Sequence, residues 1–147
     1  MCFRKEKYEK PSRIDSFEMI KYHMSGMRFI HDYEILPEGE KAVISLYLPN
    51  FRRDEEERKL LCRCELPMDK MLDILNQNKI GSWNGFDGPH PRGVLDGIMF
   101  RFEATVNGGV KIEARGSQNF PKHFHDFTSS IDEHLREAEK EAKQENE

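Results

Sequence analysis

The pair Asn107-Gly108 constrains this chain more than any other feature. Both residues accept positive φ, as the tight turn of a β-hairpin requires, and alternating residues flank them on each side. Ile98, Phe100, Phe102, Ala104 and Val106 share one face before the turn, and Val110, Ile112 and Ala114 continue it afterwards. Met99, Arg101, Glu103 and Thr105 fall on the other face. A hairpin with one apolar and one charged face belongs in an antiparallel sheet that is covered on one side and wet on the other.

The same period of two recurs through the first half of the chain. It places Ile20, Tyr22 and Met24 together in residues 16–24, and Phe29, His31, Tyr33 and Ile35 together in residues 27–36. Ala42, Ile44, Leu46 and Leu48 follow in residues 41–48, then Leu60, Cys62, Cys64 and Leu66 in residues 59–66. Turn chemistry separates them: Ser25-Gly26, then Pro37 and Gly39 within residues 36–40, then the charged residues 49–58. Connections this short imply an antiparallel meander, because parallel neighbours need long crossovers.

The period then becomes helical. Met68, Met71, Leu72 and Leu75 form a stripe after Pro67, with Gly81 past its end. Residues 82–93 hold Gly85, Gly88, Gly93, Pro89 and Pro91 and read as a loop without regular structure. After the hairpin, residues 116–119 make an exit and Pro121 opens a second helix on Phe124, Phe127, Ile131, Leu135 and Ala138. The order ββββ-α-ββ-α implies an α+β two-layer sandwich: a six-stranded, mainly antiparallel sheet with two helices on one face. One domain over residues 15–140 is expected, with a flexible basic arm at 1–14 and a frayed acidic tail at 141–147.

Composition narrows the function classes. The chain has 147 residues, 37% hydrophobic and 34% charged, enough for one core and too few for two. Its net charge of −4 hides a basic start, +3 over residues 1–14, and an acidic end, −4 over residues 132–147. An acidic body lacks the clustered Lys and Arg that hold nucleic acid. No apolar run approaches the length of a membrane span, and the first residues lead into charge with no apolar signal segment. Three cysteines make no disulfide framework, and reduced thiols point to a cytoplasmic protein.

Residues 83–127 carry a pattern of their own. Trp83-Asn84-Gly85-Phe86 is followed by Asp96-Gly97 before an apolar strand, then by Asn107-Gly108, Gly116, Asn119, Pro121 and Phe124. This succession resembles one found in small uncharacterised bacterial α+β proteins. The resemblance covers about a third of the chain, implies a shared fold fragment and a bacterial context, and implies no activity.

The 82–93 segment is the leading functional candidate, with Trp83, Phe86, Asp87, His90 and Arg92 as ligand- or partner-binding residues. Trp is more often a buried residue, so Trp83 and Phe86 folding inward over the core is the competing reading. His123 and His125 are two apart at a helix start and point in different directions, so they do not share a metal. His123 joins the candidate site only where the loop folds over that helix start. His23 and His31 are expected as a cross-strand pair flanking Ser25-Gly26, and Cys62 and Cys64 as buried strand thiols. No cofactor, metal site or nucleophile motif is expected, and an RNA platform on Phe100 and Phe102 is excluded because those rings share the apolar face.

A binding or interaction module using the Trp83 loop or the uncovered sheet face is therefore the first functional expectation. A small enzyme with Asp87, His90 and His123 as acid–base groups is the second. A homodimer joined through a strand edge or the last helix is the third.

Overall fold

The computed structural model describes residues 8–49, 58–95 and 97–145. Residues 1–7 of the basic arm, most of the charged 49–58 loop, Asp96 and the last two residues lie outside the described residues. Strands β1 (Phe17–Gly26), β2 (Phe29–Glu38), β3 (Lys41–Leu48) and β4 (Lys59–Pro67) form the antiparallel meander. Helix α1 (Met68–Gln77) and a 3-10 turn (Ile80–Trp83) follow, then β5 (Asp87–Gly88), β6 (Met99–Val106), β7 (Val110–Ser117) and α2 (Phe124–Glu145). The strand order is β4-β3-β2-β1-β6-β7-β5. The β6–β7 hairpin thus extends the sheet from the free edge of β1, antiparallel to it.

The sheet has seven strands rather than six. The additional strand comes from the 82–93 segment, where β5 runs parallel to β7, so the sheet is mixed and mainly antiparallel. Backbone satisfaction explains it. Gly85 donates its N–H to the Glu113 carbonyl at 2.8 Å, and Arg115 donates to the Phe86 carbonyl at 3.0 Å. The loop lies against β7 and its polar backbone must find partners there. Two residues are too few to leave an alternating pattern in sequence.

The turns also sit differently from expectation. Gly26 pairs with Phe29, so the first hairpin turns at Met27-Arg28, and the second turns at Gly39-Glu40 after Glu38 pairs with Lys41. The α1 helix stops at Asn78 and at Lys79, whose φ of 51° is left-handed, before Gly81 is reached. Gly81 has another reason to be glycine: a Cβ there would lie 2.0 Å from the Pro11 carbonyl oxygen. At the β6–β7 turn Asn107 and Gly108 have φ of 52° and 79°, as the hairpin chemistry requires.

Both helices cover one face, which carries Ile20, Tyr22, Tyr33, Ile35, Ile44, Phe102, Ala104 and Ile112. An aromatic cluster sits at its centre. Trp83 meets Phe102 edge-on at 5.1 Å between ring centres and Phe127 at 5.6 Å, and Tyr22 stacks on Tyr33 at 4.3 Å. The Tyr33 hydroxyl donates to Asp132 of α2 at 2.7 Å. Burial, then this hydrogen bond, pushes the Tyr33 phenol up, and burial does the same to Tyr22.

Three asparagines bond the segment before β1 to this core, at Glu9 and from Arg13 to Ser16. Asn76 accepts from the Ile14 N–H at 2.8 Å and donates to the Ile14 carbonyl at 2.9 Å. Asn84 donates to the Glu9 and Lys111 carbonyls and accepts from the Glu113 N–H. Asn107 accepts from the N–H of Asp15 and donates to the Arg13 carbonyl. Ile14 is buried as a result. At the other end α2 continues to Glu145, past the expected fraying point near residue 140, with residues 139–144 exposed and Ala142 the one apolar residue among them.

Asn107→Gly keeps the left-handed turn and removes the side-chain bonds to the arm. We expect a loss of about 1–3 kcal/mol in urea unfolding, against near-neutrality for a turn residue acting through φ alone. A second expectation concerns pH. Tyr22 and Tyr33 stay neutral in the fold, whereas they ionise near pH 10 in the unfolded chain. Their contribution is therefore complete below about pH 10 and is lost as pH rises further. Thermal melts should show a fall beyond about pH 10 that Tyr33→Phe makes shallower.

Candidate functional site

No described helix lies on the outer face of the sheet, and strand register decides which side chains meet there. Asp87 pairs with Arg115, Arg115 with Arg101, Arg101 with His23, and His23 with Asp32. These five residues from five strands form one row across the sheet. The next row, two residues along each strand, is Glu113, Glu103, Lys21 and Glu34. Like charges are thus directly opposite at two places, Arg101 with Arg115 and Glu103 with Glu113.

Hollows open over these rows, and two of them adjoin. One of about 420 Å³ is lined by Arg101, Glu103, Glu113 and Arg115, with Phe86 and Tyr8 at its wall. The other, about 200 Å³, is lined by Lys21, His23, Asp32, Glu34 and Arg58 and shares Arg101 and Glu103 with the first. Gly85 lets the wall close: a Cβ there would lie 2.7 Å from the Tyr8 ring.

The charged groups differ in how far they are satisfied. Arg115 reaches Asp87 at 3.4 Å, with both side chains about two-thirds exposed. Arg58 lies over the Tyr47 ring at 3.8 Å and reaches Glu34 at 3.3 Å. His23 is joined through Nδ1 to Asp32, which holds the ring in place. Arg101 has no ion pair or side-chain hydrogen bond among the described residues, although it borders both hollows.

The structure separates the residues expected to act together. Trp83 is 1% exposed and donates its indole N–H to the Lys122 carbonyl at 2.9 Å, so it belongs to the core rather than to a surface. Phe86 is half-buried at the wall of the larger hollow, and Asp87 stands in β5 beside Arg115. His90 has both ring nitrogens engaged, Nδ1 with Ser117 Oγ at 2.8 Å and Nε2 with the Val94 carbonyl. Arg92 is exposed. His123 is 3.7 Å from Asp126 on α2 and borders a different hollow with Phe120 and Phe124. Among the described residues no hydrogen bond or ion pair joins any two of Asp87, His90 and His123.

The expected His23–His31 pair does not form. With the turn at Met27-Arg28, His23 faces Asp32 on the outer face and His31 faces Met24 on the helix side. Cys62 and Cys64 are free thiols on the helix side: Cys62 donates to the Leu135 carbonyl at 3.3 Å, and burial pushes Cys64 up to about 11. Phe100 and Phe102 are buried, as their place on the apolar face requires.

Arg101, Arg115, Glu103 and Glu113 were not singled out from the sequence as a site. Their signal was the polar half of the hairpin alternation, and the missing information was the register that places 101 opposite 115. Comparison with protein families, curated proteins and solved structures finds no match to this chain. No described helix is long and apolar enough to cross a membrane.

The position of Trp83 makes a clear prediction. Trp83→Ala should cost about 3–5 kcal/mol in urea unfolding, through lost packing against three rings. A loss of less than about 1 kcal/mol would contradict its assignment to the core.

Proposed function

We propose that this domain is a binding module whose ligand lies on the uncovered face of the sheet, with Arg101 at its centre. The observation that carries the reading is the guanidinium of Arg101: it borders two adjoining hollows, faces Arg115 across the strand pair and has no carboxylate partner among the described residues. Like charges directly opposite are unfavourable in a sheet, by up to about 1 kcal/mol. An anionic group seated between Arg101 and Arg115 removes that repulsion. The second like-charged pair, Glu103 and Glu113, lies two residues along, or about 7 Å at the usual rise of a strand.

This spacing favours a dipolar ligand over a simple anion. A carboxylate on the arginine row and an amine on the glutamate row match a short extended peptide, with Phe86 against its apolar part. The enzyme reading has less support, because Asp87, His90 and His123 each engage a separate partner.

Thermal-shift titration of zwitterionic dipeptides, with acetate and phosphate as controls, tests this reading. A bound dipeptide raises the melting temperature of the folded state. Arg101→Ala and Glu103→Gln should each weaken that binding by about tenfold or more while leaving the unliganded melt nearly unchanged. A panel without a hit, or a hit unaffected by Arg101→Ala, would overturn it.

A further inference from the structure

The two edges of the sheet are unlike. One ends in the two-residue β5, whereas the other ends in the nine-residue β4, whose outer edge pairs with nothing among the described residues. A long open edge is a template for a further strand. Which of its backbone groups point outward follows from one hydrogen bond. Met68 donates its N–H to the Glu40 carbonyl at 2.9 Å, one step beyond the Lys41–Pro67 pair. Antiparallel bonding alternates from there, so Cys62, Cys64 and Leu66 direct N–H and C=O to β3. Arg63 and Glu65 direct theirs off the sheet.

We propose that β4 pairs antiparallel with β4 of a second copy of this chain, with Arg63 opposite Glu65 of that copy. Outward-bonding residues must meet outward-bonding residues. Three two-fold registers through Arg63 and Glu65 satisfy that: Arg63 on Arg63, Glu65 on Glu65, and Arg63 on Glu65. The first two oppose like charges, while the third forms two opposite-charge pairs at once. It also sets Leu61 opposite Pro67, and on the helix side Cys62 opposite Leu66 and Cys64 opposite Cys64.

The surroundings of β4 fit this occupant. Its present ion pairs are all on exposed side chains: Arg63 lies 3.8 Å from Glu38 and 3.9 Å from Glu65, and Lys41 donates to Glu65 at 3.4 Å. Leu60 and Leu61 are 49% and 42% exposed at the end of the strand, and the register covers Leu61. A hollow of about 570 Å³ opens between β4 and α2, bordered by Cys64, Leu66, His134 and Ala138. Helix-side residues of an incoming strand point into it. Pairing in the plane of the sheet leaves the outer face open, so this inference stands independently of the ligand proposed for that face.

Light scattering of the full chain from about 10 µM to about 1 mM, with amide hydrogen exchange on the same samples, tests the pairing. We expect a concentration-dependent dimer mass, and slowing of the Arg63 and Glu65 amides as dimer forms. Arg63→Glu should abolish the dimer and retain the fold by circular dichroism. The double variant Arg63→Glu with Glu65→Arg should restore it, since both pairs are reversed together. Monomer mass throughout would overturn the proposal. So would a dimer that survives Arg63→Glu, or one in which the amides of residues 63 and 65 exchange as fast as in the monomer.

Discussion

The packing of Trp83 against the sheet and α2 is the contact on which the rest of this structure depends. The indole touches Phe102 of β6, Phe124 and Phe127 of α2, and hydrogen-bonds the backbone just before that helix. It joins a strand, a helix and the connecting segment in one place. The burial of a large ring at this point fixes where residues 84–88 leave the core, and hence where β5 meets β7. Phe86 and Asp87 stand at the wall of the outer hollow because Trp83, a few residues earlier, faces the other way.

The same segment shows how glycine and asparagine share the work around that ring. Gly88 and Gly116 both lie against Asn119, where a Cβ on Gly116 would come within 2.1 Å of the Asn119 carbonyl oxygen. Gly116 and Asn119 of the 83–127 pattern thus serve one close backbone approach at the exit of β7. Asn76, Asn84 and Asn107 satisfy backbone groups of the segment before β1 that no strand reaches. Asn76 and Asn107 each donate to and accept from that segment, while Asn84 donates to it and uses its oxygen for the Glu113 N–H of β7. Tyr22 is the exception inside the core: its hydroxyl has no partner among the described residues, although the ring is stacked on Tyr33.

The outer face follows a different logic. Its long side chains alternate in sign along β6 and β7 but repeat in sign across that pair. A solvated face under no other demand is satisfied by cross-strand pairs of opposite charge or by hydrogen bonds, as Lys21 opposite Glu34 and the His23–Asp32 bond illustrate on the β1–β2 pair. The β6–β7 pair departs from that rule twice, side by side, beneath the wall built by Phe86 and Tyr8. This departure distinguishes the region from an ordinary wet sheet face.

Much of the architecture was legible in residue order alone. Period-two alternation revealed the long strands and which side of each is covered, because burial on one face imposes it on every strand long enough to repeat; the exception is Leu60, which a bulge sets opposite Tyr47 and away from the face of Cys62. Helical spacing revealed both helices, and Asn107-Gly108 located the hairpin. What needed the tertiary structure was everything set by register and by close approach. The register of the first hairpin placed His23 opposite Asp32, one residue past His31 and so on the other face. A two-residue strand carries no periodicity, so β5 left no trace in sequence. Trp83 could face inward or outward on composition alone, and only the space between β6 and α2 decided it. The row from Asp87 to Asp32 is drawn from five strands spread over most of the chain, and strand pairing alone brings those residues together.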